Sequence, residues 1–169
     1  MPTRPIVTLG DPRLRLVGQP VVKFDRALGE LIDDMVETMD KAPGVGLAAQ
    51  QIGLDLQLCV IRVDDQLFEV ANPEIVHLSG EEGAWEGCLS VPGYRAWRWR
   101  AEHAVMTGQD RHGRKITVNG HGYLARAIQH EFDHLQGELY IDRLDEGDEI
   151  ITEEELDERL RAEEAEAEG

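Results

Sequence analysis

Between Asp25 and Lys41 the apolar residues Leu28, Leu31, Ile32, Met35 and Met39 recur at steps of three and four. That rhythm predicts an amphipathic helix with Asp25 as its N-cap, stopping near Pro43-Gly44. The pattern then shifts. Runs at 56–63, 67–71, 74–79, 94–99, 103–109 and 114–118 read as strands, with Asp64-Asp65 and His112-Gly113 as turn signals. Within them, Trp97-Arg98-Trp99-Arg100 alternates as a strand with one apolar and one charged face. The helical rhythm returns at Leu124, Ala127, Ile128, Phe132 and Leu135, predicting a helix over 123–136. Gly122 precedes it, and Gly137 is placed to end it in a left-handed conformation. From Thr152 onward Glu, Ala, Leu and Arg favour a third helix. Leu156 and Leu160 give it only a thin apolar stripe, and residues 162–169 are expected to fray into disorder.

Sequential strands joined by short turns imply antiparallel sheets, and their segregation from the helices implies an α+β fold. The expected architecture is a set of antiparallel β-sheets around a central helix, with an N-terminal helix and an acidic helical segment at the C-terminal end. Residues 1–150 form the expected single catalytic domain, and 151–169 an acidic extension. At 169 residues the chain is long enough to bury one proper core. Its formal net charge of −17 is unevenly spread: residues 142–169 carry 14 acidic and 3 basic residues, a net of −11, which leaves −6 for residues 1–141. Such a tail is repelled by phosphate-rich surfaces, so direct nucleic-acid binding is not expected. It reads instead as a solvated, solubilising extension, or as an element that meets a basic protein surface. No run of 18 apolar residues, basic-apolar leader, lipidation signal or internal repeat is visible. A cytoplasmic protein without a membrane partner is expected.

The central helix carries the chemistry. His130-Glu131-Phe132-Asp133-His134 places two histidines four apart on one face, where their ring nitrogens can grip one metal ion. Glu131 lies one step around the helix, able to reach a water beside the metal without becoming a ligand. Hydrolysis of an amide needs this combination: a metal to acidify water and polarise a carbonyl, and a carboxylate to carry the proton. A hydrolytic site needs a third protein ligand and an open fourth position. The motif continues as H-E-x-x-H-x-x-G through Gly137, but the position where metzincin proteases carry a third histidine holds Tyr140. By spacing alone, Glu153, Glu154 and Glu155 remain open as ligands.

The two cysteines offer another. Cys59, within Leu56-Gln57-Leu58-Cys59-Val60-Ile61, reads as a small buried core thiol. Cys88 follows a glycine in a polar, loop-like segment with no apolar run to bury it, and a thiolate is a strong ligand for zinc or ferrous iron. A disulfide between the two is not expected. Cys88 is the preferred third ligand.

Three segments stand in the order and approximate spacing of one known family. They are Gly44-Val45-Gly46-Leu47-Ala48-Ala49-Gln50-Gln51, Glu86-Gly87-Cys88-Leu89-Ser90 and the His130–His134 motif. Over roughly residues 3 to 145 the chain closely resembles peptide deformylase. The resemblance implies removal of the formyl group from nascent peptides that begin with N-formylmethionine, releasing formate. It implies Cys88, His130 and His134 as metal ligands and Glu131 as the proton shuttle. The native metal it implies is Fe²⁺, with Zn²⁺, Ni²⁺ or Co²⁺ able to substitute. The side-chain amide of Gln51 (not Gln50, counting from Gly44) and the backbone N–H of Leu89 would donate to the oxyanion. Val45, Gly46, Gly87 and Arg95 would border the peptide substrate.

Blander readings stand beside these. Gly44 and Gly46 also suit a turn after the first helix, and Gly87 has the same double reading. Asp133 could orient a histidine, pair with Arg100, or be a solvated helix carboxylate. Two rival classes are a metalloprotease with a tail glutamate as third ligand, and a non-catalytic metal-binding module with the acidic tail as its partner-binding element. A structural metal site would close its fourth position, so Glu131 and Gln51 together argue for catalysis.

Overall fold

The structure is a computed structural model that describes residues 3–142, 144 and 148–168. The first helix, α1, spans Arg26–Lys41, and Asp25 caps it by accepting a hydrogen bond from the Leu28 N–H at 3.0 Å. Of the apolar residues that the spacing places on one face, Leu28, Ile32, Met35 and Met39 are buried and Leu31 is half-buried against the same cluster, with Asp34 and Thr38 buried beside them. Eight strands follow the chain: β1 (Gly46–Ala48), β2 (Leu58–Val63), β3 (Gln66–Ser79), β4 (Glu82–Cys88), β5 (Val91–Arg100), β6 (His103–Gln109), β7 (Lys115–His121) and β8 (Ile150–Thr152). Helix α2 (Gly122–Leu135) lies between β7 and β8, and α3 (Glu153–Glu168) ends the described chain.

Five strands form one antiparallel sheet in the order β1-β2-β3-β6-β7, and three form another in the order β4-β5-β8. Strand β2 shows how the first sheet is held, because both of its faces are buried. Leu58 and Val60 pack with the α1 residues Ile32, Met35 and Met39. Cys59 and Ile61 point the other way, into a cluster with Val70, Met106, Val118 and the α2 residues Ala125, Ile128 and Leu135. Helix α2 is therefore central: one face rests on the five-stranded sheet, and the other looks toward the three-stranded one. Cys59 is wholly buried and unpaired, and burial raises its thiol well above the ordinary range.

Several sequence expectations need correction. The runs at 67–71 and 74–79 are one strand, β3, interrupted by an irregularity between Ala71 and Glu74 where Asn72 takes φ 51° before Pro73. Strands β1, β4 and β8 were not legible. Cys88 is not in a loop: it ends β4 and is buried with Val91, Ala96, Leu139 and Tyr140. Its apolar neighbours come from β5 and from beyond α2, not from its own segment. The expected fraying past Ala162 is not observed, since α3 is helical to Glu168. The alanines and glutamates there are strong helix formers even without an apolar face. The extension begins against the body. Strand β8 pairs with β5 through Tyr94–Thr152, Arg95–Ile151 and Ala96–Ile150, and Leu156 is buried.

Candidate active site

The Cys88 turn and the α2 histidines meet because the β4–β5 hairpin covers the α2 face that carries Arg126, His130 and His134. Cys88 Sγ stands 3.3 Å from His134 Nε2, and the two histidine Nε2 atoms are 3.1 Å apart. One donor atom from each of the three lies within 4.8 Å of the others. A thiolate and two imidazoles match the donor set of zinc or ferrous-iron sites, and three protein ligands leave a position open. The residues present thus fit a catalytic metal. Glu154 and Glu155 do not line this cleft, and Glu153 is ion-paired with Arg95.

What holds the donors is a buried charge cluster centred on Glu86. One carboxylate oxygen of Glu86 accepts from Arg100 Nε at 2.7 Å and Arg126 Nη1 at 3.0 Å; the other accepts from Arg100 Nη2 at 2.8 Å and meets His130 Nδ1 at 2.6 Å. An Nδ1–H donated to Glu86 leaves the His130 Nε2 lone pair aimed at the donor cluster. Burial works against the Glu86 anion, but Arg100 and His130 together hold its carboxyl well below the usual carboxylate range. Arg100 also donates to Asp133 at 2.9 Å, which settles the alternatives for Asp133 in favour of that pairing. Glu86 and Arg126 had no assigned role from sequence. A signal existed for Arg126: it lies four residues before His130 on the otherwise inward face of α2, which requires a buried anion nearby.

Glu131 is buried, and its Oε1 has no hydrogen-bond partner among the described residues. Burial is the main cause that pushes its carboxyl up to about 7, opposed by the neighbouring His130 charge. Gly46 lies directly against this carboxylate, and a Cβ there would overlap it. The glycine is thus explained by close approach as well as by the turn. Gln51 is fully inside: its Oε1 accepts from the Ala48 N–H at 2.9 Å, and its Nε2 points to Ser90 Oγ at 3.2 Å and Cys88 Sγ at 3.5 Å. Gln50 faces the other way and donates to the Leu16 and Leu135 carbonyls. Leu89 sits at the β4–β5 turn, beside Gly44. A cleft of about 870 Å³ opens over the site, and Val45, Gly46, Gln51, Gly87, Cys88, Leu89, Arg95, His130 and Glu131 all line it. His134 is sealed behind them.

Residues 3–149 match the family model described as polypeptide deformylase. The chain belongs to the polypeptide deformylase family. It is accordingly an enzyme of metal-dependent hydrolysis that removes the N-formyl group from newly made polypeptides. The peptide deformylase of Heliobacterium modesticaldum is 46% identical over 140 residues, covering 83% of this chain and 93% of the relative. That of Dehalococcoides mccartyi is 43% identical over 166 residues, covering 95% and 99%. Among solved structures, the peptide deformylase of Thermotoga maritima superposes with a TM-score of 0.83 at 40% identity, covering 86% of this chain and 99% of that one. The Ehrlichia chaffeensis peptide deformylase, solved in complex with actinonin, gives 0.83 at 36% identity, with 86% and 90% covered. The deformylase match includes the Cys88 turn, the His130–His134 motif and Glu86, and ends before Glu153.

Proposed function

We propose that Cys88, His130 and His134 hold the metal of this deformylase and that Glu131 carries the proton of formamide hydrolysis. The observation that carries this reading is the buried, half-unpartnered Glu131 carboxylate in the same cleft as the three converging donors. When bound, the metal supplies positive charge that acidifies a water and polarises the formyl carbonyl. Glu131 takes the proton released from that water and delivers it to the departing amine, acting as base and then acid. Gln51 Nε2 and the Leu89 N–H are the donors for the oxyanion, each worth about 3 kcal/mol in comparable sites. Val45, Gly46, Gly87 and Arg95 border the peptide, with Ile6, Leu89 and Ala127 supplying apolar wall for the formylated residue.

Fe²⁺ is the proposed native ion, with Zn²⁺, Ni²⁺ or Co²⁺ able to replace it, and the cytoplasm the proposed location. Among the described residues no helix is long and apolar enough to cross a membrane. The net −11 of residues 142–169 argues against direct docking on nucleic acid. Formate release from a formyl-Met peptide by anaerobically prepared, metal-analysed protein tests the whole reading. Turnover proportional to bound metal is expected, and fully loaded protein that releases no formate overturns it. A Cys88 thiolate at an open iron site is exposed to oxygen chemistry. The iron form should therefore lose activity in air while the nickel form persists, and equal lifetimes would count against iron held by Cys88.

A further inference from the structure

The charged residues lining the cleft are of two kinds. Glu86, Arg126, His130 and Glu131 are buried and belong to the metal site. Arg95 and Glu153 are, among the described residues, the lining charges left at the rim, with side chains 34% and 50% exposed. They form an ion pair, Arg95 Nη1 to Glu153 Oε1 at 2.7 Å. The same Nη1 donates to the Tyr94 carbonyl at 2.8 Å, and the guanidinium lies flat against Gly87, where any Cβ would displace it.

Glu153 is no loose surface carboxylate. The β8 residues Ile151 and Thr152, paired with Arg95 and Tyr94, deliver it to the rim. Buried Leu156 and the bonds from Arg159 to Glu149 and Glu155 anchor the helix that follows. It also lies past the family-matched residues 3–149. Helix α3 adds eight acidic and two basic residues behind it.

We propose that Glu153 is a specificity-determining residue for the deformylase reaction, setting the side-chain charge the cleft accepts beyond the formylated residue by neutralising Arg95. The inference rests on the function proposed above. A formylated peptide has no charge at its N-terminus, so the charges it brings past this rim are those of its following side chains. With the pair intact an acidic side chain finds Arg95 already occupied. With Glu153 neutralised, Arg95 becomes an unpaired cation at the mouth and attracts it.

The test compares kcat/KM on formyl-Met peptides identical except for Lys, Gln or Glu at the second or third position, using the full-length, metal-loaded protein. Glu153→Gln should shift the Glu-to-Lys peptide ratio toward the acidic peptide by about threefold to fivefold, the scale of one exposed charge pair. The shift should appear in KM, shrink at high salt and leave kcat on the Gln peptide within about twofold. Glu153→Lys should shift the ratio further, and Arg95→Gln combined with Glu153→Gln should cancel most of it. An unchanged ratio in Glu153→Gln, with formate still released, overturns the inference alone. A loss of turnover equal for all three peptides overturns it too, because that reports a merely structural role. No formate from any peptide with loaded parent protein overturns the functional reading beneath it.

Discussion

Helices α2 and α3 are of similar length, 14 and 16 residues, but are built on different physical grounds. In α2 Ala125, Ile128 and Leu135 sit in the core, and the polar residues Arg126, Gln129, His130, Glu131 and His134 are buried as well. In α3 Leu156 is the buried residue, and the rest is propensity and exposed ion pairs such as Arg159 with Glu149 and Glu155. Helix α2 is thus held by tertiary contacts that allow little change, and those contacts also position reactive groups. Helix α3 is held locally and can vary along most of its length, except at its first turn, where Glu153 and Leu156 touch the body. Position relative to the core, not helical content, separates the helix that carries the proposed metal site from the one that lies mostly in solvent.

The largest effect that can break this contrast is expected at Glu131. Glu131→Gln keeps size and hydrogen bonding but cannot accept a proton, so turnover should fall at least about a hundredfold while the metal stays bound. Steady-state formate release together with metal analysis decides it, and near-parental turnover would remove Glu131 from its role. Next comes Glu86→Gln, which takes the anion from between Arg100, Arg126 and His130. Metal affinity should drop by about ten- to a hundredfold, the range for groups that orient a ligand. Chelator competition measures this, and affinity equal to the parent would mean the charge cluster does not tune the site. On α3 the expected effects are smaller. Leu156→Ala should weaken the docking of the helix by about 2 kcal/mol, seen as faster amide exchange in α3 with protection in α2 unchanged. If α2 loosens equally, the two helices form one cooperative unit and the contrast fails. The smallest effect belongs to the far end of α3, where Glu164→Lys should change global stability by less than about 0.5 kcal/mol in urea melts.

Legibility followed the same division. The α1 and α2 helices were readable because packing against the sheet writes a three-and-four apolar rhythm. Leu28, Ile32, Met35 and Met39 of α1 and Ala127, Ile128 and Leu135 of α2 are buried on it. The burial of α2 on its remaining sides, at Arg126, Gln129 and Glu131, was not readable from that rhythm. Strands β2, β6 and β7 were readable for the corresponding reason. Strand β4 was not: Glu82–Cys88 has glycines and glutamates where a strand pattern would show alternation. Its Glu86 is buried against Arg100 and Arg126, partners that no local window contains. Strand β8 is three residues long and exists through its pairing with β5. The misreading of Cys88 as a loop residue shares that cause.

The residues proposed for the reaction were nameable from the sequence and its family resemblance. Two histidines one helical turn apart, a glutamate between them, a cysteine after Glu86-Gly87 and a glutamine after Gly44-Val45-Gly46 carry their chemistry in residue type and spacing. Only the tertiary structure decided what surrounds them: that Glu86 anchors His130, that Gly46 makes room for Glu131, and that Glu153 reaches Arg95 across the rim. The physical reason is range. Helical spacing, capping and ligand type act within a few residues and are written in order along the chain. Burial, charge pairing and close approach join residues 40 or more positions apart, and those relations exist only once the sheets and α2 have packed.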